Sequence, residues 1–204
     1  INIAMQKRTM RMLNSIKTTR SSTGNKKALV ILVNFQDTHF LENSTLDLYK
    51  NILNQTGFHN SPFVGSAHDY FMDQSNGLFN LSFDVAGPVT LAHPYAYYGA
   101  NDDSNGDDSH PEEMVIEACK AIAGTTDFSK YDWDNDGEVE QVFIVYAGHG
   151  EADYDNPDLI WPHKWSLSAS PHKRALKIGG EKINVYACAS ELSHTGNIDR
   201  KSVV

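Results

Sequence analysis

Two hydrophobic rhythms run through the chain, one of continuous apolar runs and one of helical spacing, and they mark out the elements. Residues 28–35 are apolar and largely β-branched except for Asn34, which predicts a strand buried on both faces and therefore flanked by helical layers. Over 44–55, Leu46, Tyr49, Ile52 and Leu53 recur at helical intervals, with Ser44 placed to cap the helix and Gly57 to end it. A second, shorter helix is expected over 66–75 with Tyr70 and Phe71 turned inward. After Asn76-Gly77, residues 79–85 alternate as a strand with one wet face does, and Pro88 confines that strand to an edge or an end.

The second half continues the pattern. Pro111 at a first helical turn opens a helix whose Met114, Val115, Ala118, Cys119 and Ile122 form one apolar stripe, closed by Gly124. Residues 141–147 read as another buried strand. Gly179-Gly180 makes the centre of a tight hairpin over 176–183, with its second arm running on to Cys188. Alternating helices and strands, some buried and some half-wet, predict one layered α/β domain.

Composition narrows the class. No apolar run reaches the length of a membrane span. The net charge of -9 conceals an uneven distribution: residues 1–27 hold seven of the 17 basic residues and no acidic one. Spread among Ser, Thr and Asn without interleaved aromatics, those charges read as a linker or the end of a pro-segment rather than a nucleic-acid arm. Two cysteines, Cys119 and Cys188, leave the redox setting open.

The strongest chemical signal is the stretch Asp132, Trp133, Asp134, Asn135, Asp136, Gly137, Glu138, Val139, Glu140. Carboxylates at alternate positions, followed by a glycine that permits a sharp turn, wrap oxygens around a hard cation of calcium's size. Glu140 adds a fourth carboxylate and Glu138 a further ligand through its backbone carbonyl. The twelfth position is Phe143 and a strand follows, so this is not an EF-hand. The acidic stretch 101–108 has irregular spacing and reads as a solvated loop.

The nine histidines are scattered, and none forms the His-Glu-x-x-His pattern that holds catalytic zinc on one helix face. His163, in the stretch IWPHKW, is expected to pack within a loop. One competing constellation exists: a strand ending in His149-Gly150 and a strand ending in Ala187-Cys188 resemble the catalytic blocks of the caspase, gingipain and legumain clan.

A broader resemblance covers residues 27–198. The blocks KALVILVNF (27–35), YFMDQS (70–75), GLFNLSFDVAGPV (77–89), Tyr97-Tyr98-Gly99, 131–150, Glu151-Ala152, IWPHKW (160–165) and YACASEL (186–192) occur in one order. In that order they resemble the immune inhibitor A family of secreted bacterial metalloendopeptidases. The resemblance implies an α+β zincin-type fold: a twisted mixed sheet with flanking helices, forming the upper subdomain of a zinc metalloprotease. It implies a zinc-bound water attacking a peptide bond, with the zinc helix expected just beyond Asn197-Ile198, where this chain instead reads Asp199-Arg200-Lys201-Ser202-Val203-Val204.

The expectations follow from both readings. Residues 1–27 are a pro-segment tail or linker, 28–198 the N-terminal part of the catalytic domain, and 199–204 a non-native, adapter-like tail. Calcium is bound by Asp132, Asp134, Asp136, Glu138 and Glu140, as a staple between helix and strand. Zinc belongs to the intact enzyme, its ligands absent here, so the chain alone is inactive. The intact enzyme is a secreted or cell-surface monomer acting on protein or peptide substrates, without nucleic-acid partners or a membrane span. An edge strand lines its cleft, and the fragment alone is short of cover on one sheet face. The alternatives are a cysteine peptidase using His149 and Cys188, or a non-catalytic calcium-binding module.

Overall fold

The longest apolar run lies inside the sheet, between two neighbours, because both of its faces have something to bury. In the computed structural model, which describes residues 23–102 and 106–199, strand β1 (Gly24–Asn34) lies between β4 (Phe79–Thr90) and β6 (Val142–His149). The main sheet has five strands in the order β4-β1-β6-β10-β7, with β10 at Val185–Leu192 and β7 at His163–Ser166. The first three pairings are parallel and the last, β10 with β7, is antiparallel. A mixed sheet with helices on it is the expected α/β class.

The period of two along β1 sorts its side chains between two cores. Leu29, Ile31 and Val33 share one face with Val142, Ile144 and Tyr146 of β6, packed under the helix α4 (Pro111–Ile122) and the short helix α3 (Tyr95–Gly99). Ala28, Val30 and Leu32 share the other with Val145, Leu81 and Phe83, covered by α1 (Leu46–Asn54) and α2 (Ala67–Gln74). The second face is less complete. Ala187 and Ala189 of β10, level with Phe143 and Val145 of β6, stay partly open to solvent.

Smaller elements join these layers. Two-residue strands β2 (His59–Asn60) and β3 (Phe63–Val64) pair with each other, and a single turn, α5 (Glu151–Tyr154), follows β6. A second sheet of order β5-β9-β8 combines β5 (Glu138–Val139), β9 (Glu181–Ile183) and β8 (Leu176–Ile178). No helix among the described residues is long and apolar enough to cross a membrane.

Several expectations need correcting. Thr45, not Ser44, caps α1 by accepting the Leu48 N–H, while the Ser44 hydroxyl is buried without a partner. Tyr70 is exposed, and of the expected inward pair Phe71 alone packs on the core, because α2 is short and lies at the rim. The second hairpin arm ends at Ile183. Asn184 interrupts it, and Val185 begins a strand in the main sheet.

Both expected boundaries fall within folded structure. Residues 24–27 already pair with Phe79, Asn80, Leu81 and Ser82 of β4. Asp199 is buried and its N–H donates to the Glu191 carbonyl at 2.7 Å. The rest of the expected tail, residues 1–22, and positions 200–204 lie outside the described residues. Pro88 stands in β4 at the sheet edge, where its missing N–H costs no ladder bond.

Candidate metal loop and edge-strand cavity

The alternating aspartates fold back on themselves. The Asp132 side chain accepts the Asp136 N–H at 3.2 Å and the Gly137 N–H at 2.8 Å, and Asp136 accepts the Glu138 N–H at 2.9 Å. Asn135 and Gly137 take positive φ, 58° and 82°, which lets the chain reverse within the loop. Oxygens of Asp132, Asp134 and Asp136 thereby come within 4.8 Å of one another. Three carboxylates this close repel one another, and a hard cation offsets that repulsion. The donor set suits calcium.

The side-chain carboxylates of Glu138 and Glu140 fall outside that trio. Glu138 lies in β5, and Glu140 is buried with its carboxylate accepting the Trp133 N–H at 2.7 Å. Glu140 thus braces the loop from beneath. Trp133 ties the loop to the sheet: its indole N–H donates to the Lys27 carbonyl at 2.7 Å, its ring meets Phe79 edge-on, and its carbonyl accepts from Lys26 at 2.8 Å. Tyr131, one residue before the loop, donates to Asp84 of β4 at 3.1 Å. The loop therefore joins the Phe128–Tyr131 turn to the β1–β4 pair.

The His149 and Cys188 pairing is not built. In the β6–β10 register Cys188 stands beside Ile144 and Leu192 beside His149, so the two are several residues apart along the strands. The His149 ring stacks on Tyr154, with Nδ1 buried and unpartnered. Cys188 contacts His163 instead, Sγ to Nδ1 at 3.5 Å. Burial pushes its thiol up to about 12, which leaves too little thiolate for nucleophilic attack. Cys119 and Cys188 are both free thiols.

His163 belongs to β7, not to a loop as expected. Its Nε2 pairs with the Tyr186 hydroxyl at 2.9 Å and its Nδ1 with the Trp161 carbonyl at 2.7 Å, and burial lowers its basicity. Beside it opens a cavity of about 510 Å³ lined by Gly106, Asp107, Asp108, Pro111, Glu151, Trp161, His163, Lys164 and Trp165. The stretch 101–108, read as a solvated loop, contributes its last carboxylate inward. The Asp108 side chain is 5% exposed, 3.9 Å from His163 Nδ1, and accepts the Trp161 N–H at 3.1 Å. Burial pushes that carboxyl up to about 7; the Trp161 N–H opposes this, and Glu151 and Asp107 add to it.

The cavity wall is held by a close backbone approach. A side chain at Gly99 would place its first carbon 2.6 Å from the Ile160 nitrogen, so only glycine allows this contact. Ile160 is further fixed by the Tyr146 hydroxyl, which donates to its carbonyl at 2.9 Å, and by the Glu151 N–H at 3.0 Å. Sequence reasoning missed this cavity. Its sole local signal is the aromatic and polar mixture of residues 160–165.

A catalytic zinc site is not formed by the described residues. Their one carboxylate, imidazole or thiolate group close enough to share a metal is the Asp132, Asp134 and Asp136 trio, and catalytic zinc takes histidine-rich sets.

Comparison with known proteins gives two findings. The family described as "Immune inhibitor A peptidase M6, catalytic domain" matches residues 15–193. A protein named "Immune inhibitor A" from Bacillus thuringiensis subsp. alesti is 27% identical over 123 residues, covering 50% of this chain and 18% of that protein. The chain thus spans less than a fifth of the relative it resembles.

Proposed function

The chain belongs to the immune inhibitor A peptidase M6 catalytic-domain family, and from that premise we propose that it is the N-terminal part of a secreted, zinc-dependent metalloendopeptidase. The observation that carries the reading is the family match over residues 15–193, which includes both the aspartate loop and the antiparallel edge strand. A zinc ion bound in the intact enzyme would supply Lewis-acid chemistry for peptide hydrolysis. Since the described residues form no zinc site, its ligands are assigned to sequence following Ile198.

The open part of the second sheet face supports this assignment. Phe143, Ala187 and Ala189 are partly exposed there, and a following helix would cover them. The folded residues from Gly24 to Asp199 act as the upper part of the catalytic domain, with the preceding tail as pro-segment or linker. Calcium held by Asp132, Asp134 and Asp136 locks the loop against β1 and β4. β7 pairs on one side only, with β10, and its free edge holds an extended peptide substrate by strand addition. The intact enzyme acts as a monomer outside the cell.

The test compares this chain with the longer reading frame of the source gene. A His-Glu-x-x-His segment following Ile198, and casein cleavage by the longer protein that chelation abolishes, are the expected results. Chelator-sensitive cleavage by the 204-residue chain itself would overturn the assignment of zinc to later sequence.

A further inference from the structure

We propose that the cavity beside β7 is a side-chain subsite for a cationic residue, arginine above lysine, of an extended peptide lying on the free edge of that strand. The proposal rests on the reading of β7 as the peptide-holding edge and adds the substrate class. Three independent features converge on it. The cavity adjoins β7 itself, since His163, Lys164 and Trp165 belong both to its lining and to the strand.

Its floor and sides are acidic. Asp107, Asp108 and Glu151 line it against Lys164, whose side chain belongs to a residue exposed on β7. Asp108 is the most buried of them, and its nearest basic group is the imidazole of His163 at 3.9 Å, whose basicity burial lowers. A buried carboxylate without a full cation beside it is stabilised by a ligand that brings one.

Its walls are aromatic and already exposed. Trp161 is 53% and Trp165 40% exposed, an arrangement that costs apolar hydration unless something flat and cationic covers the rings. A guanidinium stacks on an indole face while its edge N–H groups reach a carboxylate, which a compact ammonium does less well. This chemistry separates arginine from lysine, and both from neutral or acidic side chains.

Calorimetric titration of the calcium-loaded chain with blocked tripeptides Ala-X-Ala, where X is Arg, Lys, Leu or Glu, and with acetyl-arginine amide tests this directly. The Arg peptide is expected to bind about tenfold or more tightly than the Leu peptide, with Lys between them and Glu weakest. Asp108→Asn and, separately, Trp161→Ala should each remove most of that preference while leaving calcium binding intact. Equal affinity for the Arg and Leu peptides overturns the subsite and leaves strand addition on β7 standing. Acetyl-arginine amide binding as tightly as the Arg peptide, and losing affinity on Asp108→Asn, keeps the cationic pocket but removes strand addition. A preference that survives both substitutions, or no binding by any probe, overturns the proposal.

Discussion

The aspartate loop and the cavity beside β7 are both rich in carboxylates, yet they are assembled in opposite ways. In the loop, three aspartates within five residues converge because a turn of two positive-φ residues, Asn135 and Gly137, folds them inward. In the cavity, Asp108, Glu151 and the Trp161–Trp165 stretch meet only because β7 runs antiparallel to β10 and Ile160 is pinned against Gly99. The first arrangement is largely exposed and mutually repelling, which is the basis for proposing a metal ion there. The second is partly dry, and calls for a cationic group carried on a larger ligand.

The largest expected difference concerns stability. Calcium at about a hundred times its dissociation constant should stabilise the chain by about 2.7 kcal/mol, raising Tm by roughly 5–10 °C for a domain of this size. Replacing Asp132 and Asp136 by Asn should abolish that rise and leave Tm in chelator nearly unchanged, as calorimetry would show. A calcium effect that persisted would place the ion elsewhere.

A pH effect distinguishes the cavity. The Asp108 carboxyl is raised from 3.8 to about 7 in the folded chain, so the folded state keeps a proton that the unfolded state has released across that window. Stability therefore falls as pH rises from roughly 4 to 7 on account of this group. Asp108→Asn should flatten that part of the profile of denaturant midpoint against pH, with the calcium response untouched. An unaltered profile would show that Asp108 is solvated.

The smallest effect is chemical rather than energetic. With its thiol moved from 9.0 to about 12, Cys188 should carry a thiolate fraction on the order of 1000-fold lower than an ordinary cysteine. Native alkylation timed by mass spectrometry should be correspondingly slow, and Cys188→Ala should leave peptide binding unchanged. Rapid labelling would reopen its pairing with a histidine, His163 rather than His149.

The same contrast explains what could be read from the chain before its fold was known. Local signals carried through: the β-branched run became an interior strand, Pro111 opened its helix, and the alternating aspartates gathered. Errors arose where two neighbours offered equivalent chemistry or where a contact was remote. Ser44 and Thr45 both carry a capping hydroxyl, and tertiary packing chose Thr45. Asp108 looked like one more solvated acid because nothing near it in sequence reveals that Trp161 and His163 will close over it. Glu140 sits at ligand spacing, and nothing local reveals that one of its carboxylate oxygens will also accept the Trp133 N–H.

Metal stoichiometry tests the account most directly. The metal-free chain, equilibrated with calcium and zinc together and analysed by mass spectrometry of the folded protein, should retain one calcium, lose it on substitution of Asp132, Asp134 and Asp136 by Asn, and retain no zinc. Stoichiometric zinc on this chain, or calcium that survives the three substitutions, would contradict it.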